Sequence, residues 1–182
     1  MPLSEKFITV HDKQFVPYIE ATDLQKRIKE MAEKINVDFK GKKPLFLAIL
    51  NGSFMFAADI FRQIEIEAEI CFVRLSSYAG TESTGQVLTA IGLDKDIKNR
   101  HIIILEDIID TGRTLAAFLP HLKEQDPASI AIVTLLHKPD ATQFKVPIDD
   151  CGFSIPNLFV LGYGLDYNGL GRNLPGLYQL SS

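Results

Sequence analysis

Residues 101–114 read His101-Ile102-Ile103-Ile104-Leu105-Glu106-Asp107-Ile108-Ile109-Asp110-Thr111-Gly112-Arg113-Thr114. His101 to Leu105 is the most apolar β-branched run in the chain and has the signature of a buried strand. It ends abruptly in two adjacent carboxylates, followed by two apolar residues, a third carboxylate and a small-residue turn. Thr114 to Lys123 is expected to be a helix, so Asp110 to Thr114 opens it. Successive backbone N–H groups of such a turn can aim at one point, with the positive end of the helix behind them. That is a phosphate cradle. Thr111 and Thr114 add hydroxyl donors. Helix capping accounts for one acid in such a place. It does not account for three acids followed by Thr-Gly-Arg-Thr. The Gly-Lys-Ser/Thr ending of a P-loop is absent.

Working outward, Thr22 to Asp38 reads as a helix. Leu24, Ile28, Met31 and Ile35 recur at helical spacing, and Thr22 with Gln25 matches a capping box. Gly41 and Pro44 break the chain. Leu45 to Leu50 is a second buried-strand run, Asn51-Gly52-Ser53 a turn, and Phe54 to Arg62 a helix. Glu67 to Leu75 and Val87 to Leu93 read as strands around a polar segment, Ser76 to Gln86, expected to be a mobile loop. Ser129 to Leu136 is a further strand. Beyond Pro139 the pattern shortens to Phe153–Ile155, Leu158–Leu161 and a Gly/Asn-rich tail.

Apolar strands alternating with helices predict an α/β fold, a central parallel sheet with helices on both faces. Ligands of such sheets bind at the carboxyl ends of the strands, where the acid-rich turn lies. The first twenty residues and the last forty fit the alternation poorly and are expected to form a small cap. One domain over residues 1–182 follows, with a core of roughly 22–140 and a hood of roughly 1–20 and 141–182.

Composition narrows the function. The chain is 46% hydrophobic and 23% charged, with a formal net charge of −4. It can bury a substantial core, and its charge disfavours a broad nucleic-acid or membrane surface. No stretch approaches the ~20 apolar residues of a membrane span. Met1 to Phe15 mixes charges with apolar residues, unlike a signal peptide. Cys71 and Cys151 both sit among apolar residues and read as small core residues of a reducing cytoplasm. No Cys/His spacing suggests zinc.

The acid pair and turn resemble the phosphoribosyl-pyrophosphate motif of type I phosphoribosyltransferases. Asn51-Gly52-Ser53-Phe54-Met55-Phe56, Ser76-Ser77-Tyr78, Leu135 to Pro139 and Phe159 to Asn168 resemble segments of the hypoxanthine (hypoxanthine-guanine) branch, in its order and spacing. The resemblance covers roughly residues 40 to 175. It implies a Mg²⁺-dependent transferase acting on phosphoribosyl pyrophosphate and a 6-oxopurine. Glu106, Asp107, Asp110, Thr111, Gly112, Arg113 and Thr114 would hold the ribosyl phosphate, with Asp110 the proton acceptor at purine N7. Glu106, Asp107 and Asp166 would serve the metal.

The other segments follow by the same resemblance. Asn51 and Gly52 would meet pyrophosphate through the backbone, often across a non-proline cis peptide. Asn51 stands where the family commonly has Lys or Arg. Ser77 and Tyr78 would head a lid and contact the pyrophosphate, which Arg172 would also meet. Lys138 would donate to the exocyclic oxygen at purine position 6. An ammonium is donor-only, which favours an oxo base over an amino one. Phe159 would stack on the purine and Val160 would offer backbone hydrogen bonds to its edge. Read without the resemblance, Gly52 belongs to an ordinary turn, Lys138 to the surface, Phe159 to the core and Asp166 to a turn. The family usually forms homodimers or homotetramers. A xanthine-preferring or other phosphoribosyltransferase is the nearest alternative. A non-catalytic regulator that senses phosphoribosyl pyrophosphate is another, and the acidic net charge and lack of an added DNA-binding domain count against it.

Overall fold

The computed structural model describes residues 7–78 and 87–181, without side chains between 76 and 91. Ten strands and three α-helices follow one another along the described chain. They are β1 (Ile8–Val10), β2 (Lys13–Ile19), α1 (Ala21–Asp38), β3 (Leu45–Leu50), α2 (Phe54–Phe61), β4 (Glu69–Tyr78) and β5 (Val87–Ile91). Then come β6 (His101–Ile109), α3 (Arg113–Lys123), β7 (Ser129–His137), β8 (Asp150–Ser154), β9 (Val160–Leu161) and β10 (Leu177–Leu180). The acid-bearing β6 lies inside a six-stranded sheet of order β5-β4-β3-β6-β7-β8. Five of its strands are parallel, and β5 alone runs antiparallel, against β4.

Alternation along the strands explains the layers. Phe46, Ala48, Ile103 and Leu105 pack with Leu24, Ile28, Met31 and Ile35 of α1 and with Phe56 and Ile60 of α2. Their sequence neighbours Leu45, Leu47, Ile102 and Ile104 face the opposite way, onto Leu115, Phe118 and Leu122 of α3. Helices thus cover both faces, and each fully buried Leu, Ile or Phe contributes about 1.5–3 kcal/mol. A second, antiparallel sheet of order β1-β2-β10-β9 joins the two ends of the chain over Val10, Phe15 and Leu161.

Some boundaries depart from the sequence reading. β6 does not stop at Leu105; it continues to Ile109, with Glu106 paired to Thr134 on β7. Glu106 and Asp107 are therefore strand residues, with the ladder to β7 formed at Glu106 and again at Ile108. β8 pairs in parallel with β7, so residues 150–154, expected in the cap, complete the central sheet. The Thr22–Gln25 capping box does not form. α1 begins at Ala21 after Glu20 with no side-chain cap, so Thr22 already lies inside the helix, and the Gln25 amide donates to Asp59 and Tyr163. No helix among the described residues is long and apolar enough to cross a membrane.

Candidate active site

β3, β6 and β7 are parallel neighbours, so their carboxyl ends emerge side by side. The segments after them, Asn51–Ser53, Asp110–Thr114 and Lys138–Phe144, share one edge of the sheet.

The turn after β6 has the shape the sequence predicts. Gly112 precedes α3 with φ +78. A Cβ there would stand 2.1 Å from the Phe144 carbonyl oxygen, so both the backbone conformation and the space require glycine. Thr111 O accepts the N–H groups of Gln143 (3.0 Å) and Phe144 (2.9 Å), and the Arg113 guanidinium lies 5.4 Å from the Phe144 ring centre. Residues 142–144 thus brace the turn from behind. No sequence pattern marks them; beyond Pro139 the alternation only shortens. Glu106, Asp110, Thr111, Gly112, Arg113 and Thr114 line a small pocket at this point.

The two adjacent acids have different surroundings, because the side chains of successive strand residues leave opposite sides of β6. Glu106 lines the turn's pocket and is 9% exposed. Among the described residues its Oε2 has no hydrogen-bond partner. Burial, followed by the Asp107 charge, pushes its carboxyl well above the usual range. Asp107 faces Gly52 on the other side. Burial pushes it up to about 6, while backbone N–H donors and the Arg172 charge pull it down and Asp166 adds a small rise.

The Asn51-Gly52 turn and the 162–172 loop meet beside Asp107. The Leu50–Asn51 peptide is cis. Ser53 is fully buried and its hydroxyl donates to Ile49 O at 2.6 Å, fixing the start of α2. Gly164 packs so closely on the turn that a Cβ would stand 2.1 Å from Gly52 O. Arg172 donates to Gly164 O at 2.6 Å and pairs with Asp166 Oδ1 at 2.7 Å. Asp166 Oδ2 accepts the Gly169 N–H at 2.7 Å. The Asp166–Arg172 pair was not foreseen from the sequence.

Lys138 is 7% exposed, so it is not a surface lysine. Its amide donates to Ile109 O at 2.9 Å, and its ammonium donates to Asp110 Oδ2 at 3.4 Å. Ile155 N donates to His137 O at 2.9 Å, so the segment leading to Phe159 starts at the same end of β7. Phe159 is 44% exposed, at odds with a core role. Its ring is set by Phe15 (centroids 6.1 Å) and by Tyr167, edge-on at 5.7 Å. Val160 lies on β9, the edge strand. Leu180 N donates to Phe159 O, so the N–H and C=O of Val160, the next residue, point to the free edge.

Ser77 and Tyr78 end β4, paired with Leu88 and Val87. The loop expected at Ser76–Gln86 therefore starts no earlier than residue 79, since β4 runs through Tyr78; its residues 79–86, and the side chains of Ser77 and Tyr78, lie outside the described residues.

Glu106, Asp107 and Asp166 do not form a self-sufficient metal cage; no group of three His, Cys, Asp or Glu among the described residues does. Mg²⁺ does not need one. It keeps several waters and takes one or two carboxylates together with substrate phosphates. The unpartnered Glu106 Oε2 and the charge-starved Asp107 are hard oxygen donors whose ionised forms a divalent cation would stabilise. These residues fit the ion.

Residues 19–168 match the phosphoribosyl transferase domain, and the chain belongs to that family. Its fold, five parallel strands with helices on both faces, is that of the type I members. A hypoxanthine phosphoribosyltransferase of Buchnera aphidicola is 45% identical over 160 residues, 86% of this chain and 90% of its own. A hypoxanthine-guanine phosphoribosyltransferase of Lactococcus lactis is 43% identical over 158 residues, 86% of each. The crystal structure of a hypoxanthine phosphoribosyltransferase from Staphylococcus aureus matches with a TM-score of 0.84 at 38% identity, over 91% of this chain and 90% of that one.

Proposed function

We propose that this chain transfers the 5-phosphoribosyl group of phosphoribosyl pyrophosphate to hypoxanthine and guanine, releasing pyrophosphate with IMP or GMP. The observation that carries the reading is the 3.4 Å contact between Lys138 Nζ and Asp110 Oδ2. It joins the residue suited to read a 6-oxo group to the first residue of the phosphate turn. The named activities of the relatives support the same reaction.

The 5-phosphate sits in the Thr111–Thr114 turn, held by backbone N–H groups and the two threonine hydroxyls. Glu106 and Asp107 flank the ribose. A purine ring nitrogen forms a bond to the anomeric carbon as the bond to pyrophosphate oxygen breaks, through an oxocarbenium-like state. Asp110 takes the proton from N7. Lys138 donates to the exocyclic oxygen, which draws electron density from the ring and eases that loss. Phe159 gives the purine a face to stack on, and Val160 presents its free N–H and C=O to the ring edge. Asn51 and Gly52 offer backbone groups, and Arg172 its charge, to pyrophosphate. Ser77 and Tyr78 complete that side. Glu106, Asp107 and Asp166 would hold Mg²⁺, which would supply positive charge for the leaving pyrophosphate.

Both sheets work as one catalytic domain in this reading, with the β1-β2-β10-β9 sheet supplying the purine platform. We assign the enzyme to the cytoplasm, in keeping with its two free cysteines, and to a homodimer or homotetramer, in keeping with Phe54 left exposed on α2.

The test is nucleotide formation from phosphoribosyl pyrophosphate, Mg²⁺ and each of hypoxanthine, guanine, xanthine and adenine. IMP and GMP are expected. No nucleotide from any base would overturn the reading, and adenine use at a comparable rate would remove Lys138 from its role. The xanthine arm decides the nearest alternative, since a hypoxanthine-guanine-xanthine phosphoribosyltransferase of Tritrichomonas foetus is 38% identical over 154 residues.

A further inference from the structure

Tyr163 takes no part in the chemistry above, yet it is 2% exposed and its backbone has φ +47, between Gly162 at +101 and Gly164 at +102. A bulky residue in the left-handed region persists only where its surroundings hold it there. Two side chains from two helices do so. The Tyr163 hydroxyl donates to Asp59 Oδ2 at 2.5 Å. Gln25 Nε2 donates to that same oxygen at 2.6 Å and to the phenol oxygen at 3.2 Å. Burial and the Asp59 charge push the phenol far up, so it remains a donor at any working pH.

The two ends of this triangle lead to opposite walls of the pyrophosphate side. Asp59 and Gln25 belong to α2 and α1, and α2 starts directly after the Asn51–Ser53 turn. On the other side, Gly164 follows Tyr163 and abuts Gly52 O. Gly164 N donates to Arg172 O at 2.9 Å, and Arg172 returns a hydrogen bond to Gly164 O at 2.6 Å while gripping Asp166.

We infer that Tyr163, held by Asp59 and Gln25, is a positioning residue that fixes the Arg172–Asp166 pair against the Gly52 turn and so sets affinity for phosphoribosyl pyrophosphate. The kinetic part rests on the proposed transfer; the structural part does not.

The experiment compares wild type with Tyr163→Phe, which keeps the ring and removes the donor. Asp59→Ala should reproduce its effect, and Asp59→Asn, which keeps an acceptor oxygen, should restore most of the wild-type behaviour. In Tyr163→Phe, KM for phosphoribosyl pyrophosphate should rise about tenfold while kcat and KM for hypoxanthine change less than about twofold. Hydrogen exchange should accelerate at the Gly164 and Gly169 amides and stay unchanged in β3 and β6. Unchanged exchange at those two amides, or acceleration spread over both sheets, overturns the inference. So does an unchanged KM in an active variant, whatever happens to Tm. A wild type that forms no nucleotide counts against the transfer, and the exchange arm then decides the clamp alone.

Discussion

Asp107 Oδ2 occupies the space that a side chain on residue 52 would need: an ideal Cβ on Gly52 would stand 1.6 Å from it. Gly52 has an ordinary φ, so its requirement is one of space rather than backbone freedom. The Asn51-Gly52 turn and the second acid of β6 are built around each other. Gly52→Ala should therefore act by displacing Asp107, with a stability loss of about 1–3 kcal/mol from overpacking. The folded variant should also lose about 100-fold in activity, because Asp107 leaves the ribose side. Denaturant unfolding shows that the variant is folded under assay conditions and steady-state kinetics read the activity; a folded variant with unchanged kcat/KM would contradict this view of Gly52.

Burial raises both acids of the pair, Asp107 to about 6. A carboxyl raised in the folded state binds a proton there after the unfolded chain has released its own. Stability from Asp107 is thus fully present below pH ~4 and is lost as pH rises toward 6, by up to about 3 kcal/mol. Glu106 shifts in the same direction. Without divalent cation, Asp107→Asn should flatten this loss and be the more stable protein at pH 7. Unfolding curves between pH 4 and 7 would reveal it, and a wild-type stability that runs parallel to the variant's across that range would be the wrong outcome.

Asp110 is half exposed and contacts Lys138, so replacing it should leave the fold intact. Asp110→Asn should lower kcat by about 10²–10⁴-fold, the usual worth of a positioned base. Binding of phosphoribosyl pyrophosphate should change little, since the turn's backbone supplies the grip. Rapid-quench kinetics with a direct binding measurement would check this; unchanged turnover would remove Asp110 as the base.

Lys138→Met should cost about 100-fold in kcat/KM for hypoxanthine and narrow its advantage over adenine, because an apolar tip no longer distinguishes an oxo from an amino group. Competition between the two bases is the direct assay. A variant that still rejects adenine as strongly as wild type would place the discrimination elsewhere.

Phe159→Ala removes a face that is already partly in solvent, so Tm should move little. The loss of stacking, worth about 1–3 kcal/mol for a base on an aromatic ring, should raise KM for the purine by about 5- to 100-fold. KM for phosphoribosyl pyrophosphate should stay put. An equal rise for both substrates would mean that the ring supports the fold rather than the base.

The parts of this molecule that rest on local pattern were legible in the sequence. Leu45–Leu50 and the start of β6 are strands buried on both faces, and their unbroken apolar runs say so. The Asp110–Thr114 turn announces itself by composition. Other features needed the third dimension. β6 continues through Glu106 and Asp107 because β7 pairs with it as far as Ile109, beyond the point where β3 leaves at Leu105, not because acids favour strands. β8, with the sequence Asp-Cys-Gly-Phe-Ser, has no alternation to mark it and exists through its pairing with β7. α1 starts at Ala21, one residue ahead of Thr22, so the Thr22–Gln25 pattern falls inside the helix and Gln25 turns to Asp59 and Tyr163. The contacts Lys138–Asp110 and Asp166–Arg172 were out of reach for different reasons. The first joins residues 28 apart across two strand ends. The second depends on a run of left-handed residues that folds 162–172 back on itself.

Calorimetric titration of phosphoribosyl pyrophosphate into the wild-type protein, with Mg²⁺ in excess, goes straight to whether the bend from Glu106 to Thr114 grips an activated ribosyl phosphate. One site per chain is expected, and the heat should be abolished by Gly112→Val, whose side chain collides with the Phe144 carbonyl. No uptake by the wild type, or binding that survives in the Gly112 variant unchanged, would contradict the assignment of that bend.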